Sequence, residues 1–322
     1  MKIAVVGATG LVGREILKIL AEKGFDSFCE FVLYASSRSE GKILQVGKQF
    51  VRVRTLEQET LEKVDFAIFS AGSNISKIWA KNFALLGAIV IDNSSAFRRK
   101  ENVPLVVPEI NFDDISSTNI IANPNCSTIA LALPLHIIGK HAKIKRVVVS
   151  TYQAVSGAGQ RALDDLVSRT TNKFGHTITD NLIPQIDRFL PGGNTFEEDK
   201  MIFELKKILH QQDLAVSATC VRVPVSNCHS ESVNIEFEKI VSATSIRKWL
   251  MGAQGVCVVD DPKHNLYPMP ILAGRTDDIL VGRIRKDSSS KNCINLFLCM
   301  NNLRKGAALN AIQILEKLIK SQ

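Results

Sequence analysis

Residues 3–13 read IAVVGATGLVG, and this stretch decides the fold of the first part of the chain. The apolar run Ile3–Val6 predicts a buried strand, and the apolar spacing of Val12–Lys23 predicts a helix directly after it. Glycines between the two elements let the backbone approach a pyrophosphate at the helix N-terminus, where free N–H groups point outward. The spacing is GxxGxxG rather than GxGxxG, so a tight turn without a ligand is the alternative.

The predicted nucleotide-binding residues lie in this turn and after the next strand. Those in the turn are Gly7, Thr9, Gly10, Leu11, Val12 and Gly13. Strand Phe31–Ala35 is followed by Ser36, Ser37, Arg38 and Ser39, with no carboxylate before Glu40. An NAD site usually has Asp or Glu here for the ribose 2′-hydroxyl, whereas an arginine flanked by hydroxyls suits a 2′-phosphate. We therefore expect Ser37, Arg38 and Ser39 to bind NADP(H), and a solvated loop arginine is the alternative.

Two domains are predicted from the order of the elements. Apolar strands at 66–70 and 88–91, with a helix at 77–86 between them, continue the α/β alternation and predict a doubly wound parallel-sheet (Rossmann) domain. From about Arg146, long strands with few helices predict an α+β catalytic and dimerisation domain with a largely antiparallel sheet and helices on one face. We place the first domain at 1–126, completed by the amphipathic C-terminal helix 303–322, and the second at 127–302.

The bulk composition excludes several functions. The formal net charge is +8, but the basic residues are spread out and only three tyrosines and two tryptophans are present, so we expect no nucleic-acid partner. No apolar run approaches the roughly 20 residues that cross a bilayer, and the start of the chain does not read as a signal peptide, which predicts a cytoplasmic protein without a membrane partner. Seven scattered cysteines without CxxC spacing predict reduced thiols and no metal site.

The predicted reactive group is Cys126, in Asn123-Pro124-Asn125-Cys126-Ser127-Thr128. A strand-like segment precedes it and an apolar helix follows, so the sulfur lies at the positive end of a helix dipole, which lowers a thiol pKa and favours the thiolate. The free N–H groups there also suit the oxyanion of a tetrahedral intermediate. We expect the remaining cysteines outside the active site to be buried and inert, namely Cys29, Cys220, Cys257, Cys293 and Cys299.

A thiolate enzyme also needs a proton carrier, and His229 is the candidate. It follows the apolar strand 220–225, which is interrupted only by Arg222. A charge in such a run faces a ligand or a buried carboxylate, and an ordinary ion pair for Arg222 remains an alternative.

Several motifs together resemble the aspartate-semialdehyde dehydrogenase family, and the likeness runs from the first glycine turn to the last helix. The motifs are Asp92-Asn93-Ser94-Ser95-Ala96-Phe97-Arg98, Val106-Val107-Pro108-Glu109, the Cys126 segment, Tyr152-Gln153-Ala154-Val155-Ser156-Gly157-Ala158-Gly159, Arg222-Val223-Pro224-Val225, His229-Ser230-Glu231-Ser232 and Asn302-Leu303-Arg304-Lys305-Gly306-Ala307-Ala308. Two positions depart from the family. Cys228 stands where the family usually has glycine, which is strained if the position needs a positive φ, and Gln185 stands where histidine is expected.

The resemblance implies that NADPH reduces L-aspartyl 4-phosphate to L-aspartate 4-semialdehyde with release of inorganic phosphate. This step belongs to aspartate-family amino-acid biosynthesis, which leads to lysine, threonine, methionine and diaminopimelate. Cys126 would form a thioester, His229 would act as acid and base, and Gln153 would orient the acyl group. The resemblance also implies a homodimer or a dimer of dimers.

By the same resemblance, four residues would bind the substrate and three more the cofactor. Arg98 and Lys200 would hold the phosphate, Arg222 the α-carboxylate and Glu197 the α-ammonium. Ser156, Gly157 and Asn302 would touch the cofactor. For Glu197 and Lys200, a solvated helix face is the alternative.

Two other functions remain open. Another acyl-phosphate reductase, acting for example on N-acetylglutamyl phosphate, would share the thiol chemistry but needs no group for a free ammonium. A non-catalytic NADP-sensing protein on the same scaffold would be expected to lack the thiol or the proton carrier, and this chain has both.

Overall fold

The structure is a computed structural model that describes residues 1–116 and 118–321. The chain divides into two compact units, one formed by Met1–Pro124 with the C-terminal segment from Ala307 onward, the other by Asn125–Gly306. Within the described ranges, no helix has the length and apolar character to span a membrane. The same ranges contain no group of three or more His, Cys, Asp and Glu residues that could hold a metal ion.

The regular elements follow the chain as two sets. The strands are β1 Lys2–Val6, β2 Glu30–Ala35, β3 Ile43–Val46, β4 Gln49–Thr55, β5 Phe66–Phe69, β6 Ile89–Asp92, β7 Ile120–Ala122, β8 Ile144–Gln153, β9 Ala215–Arg222, β10 His229–Phe237, β11 Val256–Val258, β12 Ile279–Lys286 and β13 Cys293–Met300. The α-helices are α1 Leu11–Glu22, α2 Ser73–Leu85, α3 Pro108–Asn111, α4 Cys126–Gly139, α5 Gln160–Ser168, α6 Phe196–Ile208, α7 Ala243–Leu250, α8 Pro270–Ala273 and α9 Leu309–Lys320.

The first unit is built on a seven-stranded sheet with the order β3-β4-β2-β1-β5-β6-β7. All neighbouring strands pair in parallel except the edge hairpin of β3 and β4. The parallel sheet with its interleaved helices confirms the doubly wound α/β domain expected from the sequence. The hairpin was not predicted, although its alternation of exposed and buried residues is that of a half-buried strand pair.

The core of the first unit lies between this sheet and two helices. Ile16 and Leu20 of α1 pack in one cluster with Ile312 and Leu315 of α9, and all four are fully buried. Each such side chain contributes about 1.5–3 kcal/mol by leaving water. The apolar spacing at the end of the sequence therefore reflects a helix that completes this unit. The helix itself begins at Leu309, because Arg304–Ala308 form a π-helical turn before it.

The second unit is built on a six-stranded sheet with the order β11-β12-β13-β10-β8-β9. Its three central pairings are antiparallel, while the β8–β9 and β11–β12 pairs are parallel. Helices α4, α6 and α7 pack against it. This is the largely antiparallel sheet that was expected. One boundary differs: β10 begins at His229, so this residue is part of the sheet rather than of the connection before it.

The cysteines differ in one respect from the expectation. No disulfide joins any two of the seven in the described ranges. Cys29, Cys220, Cys293 and Cys299 are buried as predicted, but Cys257 is exposed. It lies on β11, an edge strand that has a neighbouring strand on one side only.

Candidate active site

Cys126 is the first residue of α4 and is partly exposed. The helix is capped by Asn125, whose Oδ1 accepts the N–H groups of Ser127 at 2.9 Å and Thr128 at 3.3 Å. The backbone N–H of Asn125 donates to Glu204 Oε2 at 2.7 Å. The thiol therefore lies at a helix start that is held by both the side chain and the backbone of Asn125. The helix dipole at this end favours an anion.

Glu197, in the first turn of α6, connects three further groups in the interior. Its Oε1 accepts Asn125 Nδ2 at 2.9 Å and Gln153 Nε2 at 3.1 Å, and its Oε2 lies 2.6 Å from Lys200 Nζ. Burial opposes the ionisation of Glu197, but the Lys200 charge and these donors outweigh it and lower the pKa to about 2. Glu197 is 4% exposed, so the pair with Lys200 is not a solvated helix face.

Arg222 and His229 are joined through the backbone of Ala154. Arg222 Nη1 donates to the Ala154 carbonyl at 2.6 Å, and the Ala154 N–H donates to His229 Nδ1 at 3.0 Å. Burial, and then the Arg222 charge, lower the pKa of His229 to about 3, while Glu197 acts in the opposite direction. Because Nδ1 accepts a hydrogen bond, the proton of the neutral ring is on Nε2. Nε2 is buried and has no partner among the described residues.

Two glycines lie directly against the reactive groups. A Cβ on Gly157 would be 3.0 Å from His229 Cε1 and 3.1 Å from Arg222 Nη1. A Cβ on Gly306 would be 2.9 Å from Cys126 Cβ and 2.8 Å from Met300 Cε. A cofactor role was expected for Gly157 and no role for Gly306, because contacts between distant segments leave no local pattern in the sequence.

Ser156 and Asn302, both expected to touch the cofactor, contact one another. Asn302 Nδ2 donates to Ser156 Oγ at 3.0 Å, and Asn302 Oδ1 accepts the N–H of Cys228 at 2.9 Å. Cys228 has a φ of +74°, which is the strained conformation that the departure from glycine suggested. Its thiol packs with Ala273, Leu280 and Cys299. Burial raises its pKa to about 12, so it is a poor nucleophile.

In the first unit, the glycine turn is closely packed. Gly7 has a φ of +91°, and a Cβ there would be 2.4 Å from the Ser70 carbonyl oxygen. A Cβ on Gly13 would be 2.1 Å from the Gly7 carbonyl oxygen. Gly10 is the N-cap of α1, so Leu11, Val12 and Gly13 form the first turn of that helix. This is the strand–turn–helix geometry in which backbone N–H groups face a phosphate.

The segment after β2 has a polar, cationic surface. Ser37 and Arg38 are exposed, whereas Ser39 is buried and its Oγ lies 3.4 Å from Thr9 Oγ1. The carboxylate of Glu40 accepts both the N–H and the hydroxyl of Thr55. The nearest acid is therefore engaged by the neighbouring strand β4.

Arg98 lies in the loop after β6, in the first unit, and is buried. Its Nη2 donates to the Asn93 carbonyl at 2.8 Å. The same loop is held by Asp92, whose carboxylate accepts the hydroxyls of Ser76 and Ser94, each at 2.7 Å. Arg98, the glycine turn and Ser37–Ser39 thus belong to the first unit. The other predicted catalytic and substrate-binding residues belong to the second, together with Ser156, Gly157 and Asn302.

Comparisons with known proteins agree with this division of the chain. Two family models match, "Semialdehyde dehydrogenase, NAD binding domain" over residues 2–118 and "Semialdehyde dehydrogenase, dimerisation domain" over residues 135–305. An aspartate-semialdehyde dehydrogenase of Aquifex aeolicus is 49% identical, with 99% of this chain and 98% of the relative covered.

Two solved structures extend the likeness to the fold. Aspartate semialdehyde dehydrogenase II of Vibrio cholerae, complexed with ASA, has a TM-score of 0.94 and 40% identity over 99% of this chain and 98% of that chain. Aspartate semialdehyde dehydrogenase of Candida albicans, solved with NADP, has a TM-score of 0.77 and 28% identity over 98% of this chain and 97% of that one. The chain belongs to the aspartate-semialdehyde dehydrogenase family.

Proposed function

We propose that this protein reduces L-aspartyl 4-phosphate to L-aspartate 4-semialdehyde with NADPH, through a thioester on Cys126. The observation that carries the proposal is the hydrogen-bonded network of the second unit. In this network one buried carboxylate, that of Glu197, binds three groups. They are the Asn125 side chain at the helix start that carries the thiol, the Gln153 amide and the Lys200 ammonium. Charged and amide groups that converge beside a thiol suit a small substrate that has a reactive acyl group and also carries an ammonium and a carboxylate.

The chemistry begins at the thiol. The Cys126 thiolate attacks the acyl carbon, the C–O bond to phosphate breaks, and inorganic phosphate leaves with that electron pair. When bound, NADPH supplies the hydride that reduces the resulting thioester to a thiohemiacetal anion. Collapse of this anion expels the Cys126 thiolate and releases the aldehyde. Backbone N–H groups at the start of α4 and the Gln153 amide stabilise the negative charge on oxygen in both steps.

His229 enters this scheme as a hydrogen-bond donor in its resting state. With Nδ1 accepting from Ala154, the neutral ring presents Nε2–H. A donor of this kind stabilises an oxyanion without transferring its proton. Acid–base work at Nε2 requires either a protonated ring, which the lowered pKa disfavours, or the other tautomer, which breaks the Ala154 contact.

Glu197 favours this substrate over an N-acetylated one. It is a buried, ionised carboxylate, and an incoming α-ammonium would replace the Lys200 charge beside it. An N-acetylglutamyl substrate has no ammonium to offer. Arg222, buried as a guanidinium with Nε lacking a partner in the described ranges, suits the α-carboxylate. Lys200 and Arg98 are the proposed phosphate-binding cations.

NADP is the proposed cofactor rather than NAD. Arg38 with Ser37 and Ser39 offers a cation and hydroxyls for a 2′-phosphate, and the Glu40 carboxylate is engaged by Thr55. The relative from Candida albicans was solved with NADP.

We also propose a homodimer, formed through the unit that matches the dimerisation domain, and a cytoplasmic location, which keeps a catalytic thiol reduced.

The test is phosphate-dependent reduction of NADP with aspartate semialdehyde as substrate. We expect turnover with this substrate, much less with N-acetylglutamate semialdehyde, and a higher kcat/KM with NADP than with NAD. Rapid mixing of enzyme with aspartyl phosphate should give a burst of thioester, which Cys126→Ala abolishes and the exposed-cysteine variant Cys257→Ala retains. A burst that persists in Cys126→Ala, or equal turnover of both semialdehydes, would contradict the proposal.

A further inference from the structure

The Lys200 ammonium lies between two carboxylates. Its Nζ is 2.6 Å from Glu197 Oε2 and 3.2 Å from Asp187 Oδ2. The two acids differ in burial, since the Glu197 side chain is 5% exposed and the Asp187 side chain is 40% exposed. A buried carboxylate depends on a counter-charge, whereas a partly solvated one is stabilised by water. Asp187 is therefore the partner that does not need Lys200 for its own stability.

The backbone at Asp187 has an uncommon conformation. Its φ is +70°, a region that non-glycine residues seldom occupy. Within it, Asp187 Oδ1 accepts the N–H of Arg188 at 2.9 Å, which leaves Oδ2 directed to Lys200. The Asp187 carbonyl accepts Gln185 Nε2 at 3.2 Å. Both carboxyl oxygens of Asp187 are therefore engaged, one by its own backbone segment and one by Lys200.

The segment that carries Asp187 is attached on both sides to substrate-binding elements. Ile183 exchanges two backbone hydrogen bonds with Arg222, of 3.0 and 2.8 Å. After Asp187, the Arg188 carbonyl accepts the N–H of Phe196, the first residue of α6, at 2.8 Å. The Arg188 guanidinium and the Lys200 ammonium lie 5.0 and 5.1 Å from the centroid of the Phe196 ring. Asp187 thus has a fixed place relative to both Arg222 and Lys200.

We propose that Asp187 is a positioning residue that orients the Lys200 ammonium for the phosphate group. The inference rests on the proposed function, in which Glu197 binds the α-ammonium and Lys200 the phosphate. When the α-ammonium reaches Glu197, it becomes the counter-charge of that carboxylate, and Lys200 loses its closest partner. Asp187 then retains Lys200 in place, so that a long flexible side chain does not have to be ordered when phosphate binds.

The test is the Asp187→Asn variant, because asparagine tolerates a positive φ and keeps the local hydrogen bond while removing the charge. In the phosphate-dependent oxidation of aspartate semialdehyde, we expect the KM for phosphate to rise about twofold to fivefold, as for loss of a partly exposed ion pair. The kcat should change less than about twofold. The matched control is Asp180→Asn, since Asp180 also has a positive φ, of 58°, and an exposed ion pair, with Arg169 at 3.4 Å.

A double-mutant cycle separates positioning from a general structural effect. In a Lys200→Met background, Asp187→Asn should leave the KM for phosphate unchanged, because the group that it orients is gone. The inference would be overturned if Asp187→Asn and Asp180→Asn had the same KM for phosphate. It would also be overturned if Asp187→Asn raised this KM as much in the Lys200→Met background as in the wild type. Neither result would contradict the proposed function. If the unmodified enzyme shows no phosphate-dependent reduction of NADP, the proposed function fails and the inference fails with it.

Discussion

Among single residues, Gly306 shows how tightly the space around the thiol is defined. It lies in the π-helical turn Arg304–Ala308, and its Cα faces the first residue of α4. The turn follows β13, whereas Cys126 opens α4, so two remote segments share this contact. Of the two groups that a methyl would meet, the end of Met300 is flexible, but Cys126 Cβ is attached to a capped helix.

We expect Gly306→Ala to lower kcat/KM at least about tenfold, because the new Cβ displaces Cys126 from its position against the substrate. The measurement combines steady-state turnover with the rate at which iodoacetamide alkylates Cys126. Gly139→Ala is the control, since a Cβ there would meet only Gln211 Nε2, at 4.0 Å. Wild-type turnover and alkylation in Gly306→Ala would show that the contact is readily relieved.

The place of Cys126 at a helix start was predictable at this scale, and its partners were not. Asparagine before a cysteine and an apolar run is a local signal for a helix start, and the structure has Asn125 as the cap. That Glu197 would bind the side chain of this same Asn125, 72 positions earlier, is not encoded by any spacing. Cys228 was predictable in part. The resemblance to the family indicated the positive φ at this position, but nothing in the sequence indicated the apolar cluster in which this residue packs.

Among the elements, β10 carries His229, the proposed catalytic histidine, and a second buried ionisable group. Side chains two positions apart on a strand share a face, so Glu231 lies on the same side of the sheet as His229. Glu231 is 1% exposed, and both of its carboxyl oxygens lack a hydrogen-bond partner among the described residues. Burial raises its pKa well above the usual range, so the folded protein holds this acid in its neutral form.

We expect this neutral acid to make stability depend on pH. The folded state keeps a proton that the unfolded state releases above about pH 4.3, so stability falls as pH rises toward the folded pKa, by about 1.4 kcal/mol per pH unit. The contribution of His229 to the pH dependence has the opposite sign, because its lowered pKa costs stability as pH falls below about 6.5. This contribution is the same in the wild type and in Glu231→Gln, so it cancels when the two are compared. Glu231→Gln should therefore gain stability relative to wild type between pH 5 and pH 8.

Urea unfolding at several pH values measures this difference. Glu236→Gln is the control, because Glu236 lies on the same strand in a surface ion pair, 3.3 Å from Lys145. It should follow the wild-type pH dependence. Parallel pH profiles for wild type and Glu231→Gln would mean that Glu231 is ionised in the folded protein or solvated there.

For the molecule as a whole, we expect assembly to use the face of the second sheet opposite α4 and α6. Alternation along the strands directs Tyr152 and Phe297 to that face, where their rings stack at a centroid distance of 6.2 Å. Tyr152 is 37% exposed. Exposed aromatic pairs of this kind are typical of the centre of a protein interface, which agrees with the match to a dimerisation domain.

We expect Phe297→Asp to convert the dimer into a monomer, because it places an unpaired charge in the interface core. Size-exclusion chromatography with light scattering measures the mass. Phe50→Asp is the control, since Phe50 is 73% exposed on the β3–β4 hairpin of the first unit. A dimeric Phe297→Asp would assign the interface to another surface, and a monomeric wild type would contradict the homodimer.

The sequence alone determined the two architectures, the glycine turn and the helix start at Cys126, because periodicity, glycine spacing and caps act over a few neighbouring residues. The tertiary structure decided which groups are charged and which are constrained. Gln153 and Glu197 are 44 positions apart and Asn302 and Cys228 are 74, yet each pair is hydrogen-bonded. Desolvation and Coulomb interaction depend on distance in space, so the lowered pKa values of Glu197 and His229 and the shared ammonium of Lys200 exist only once the chain has folded.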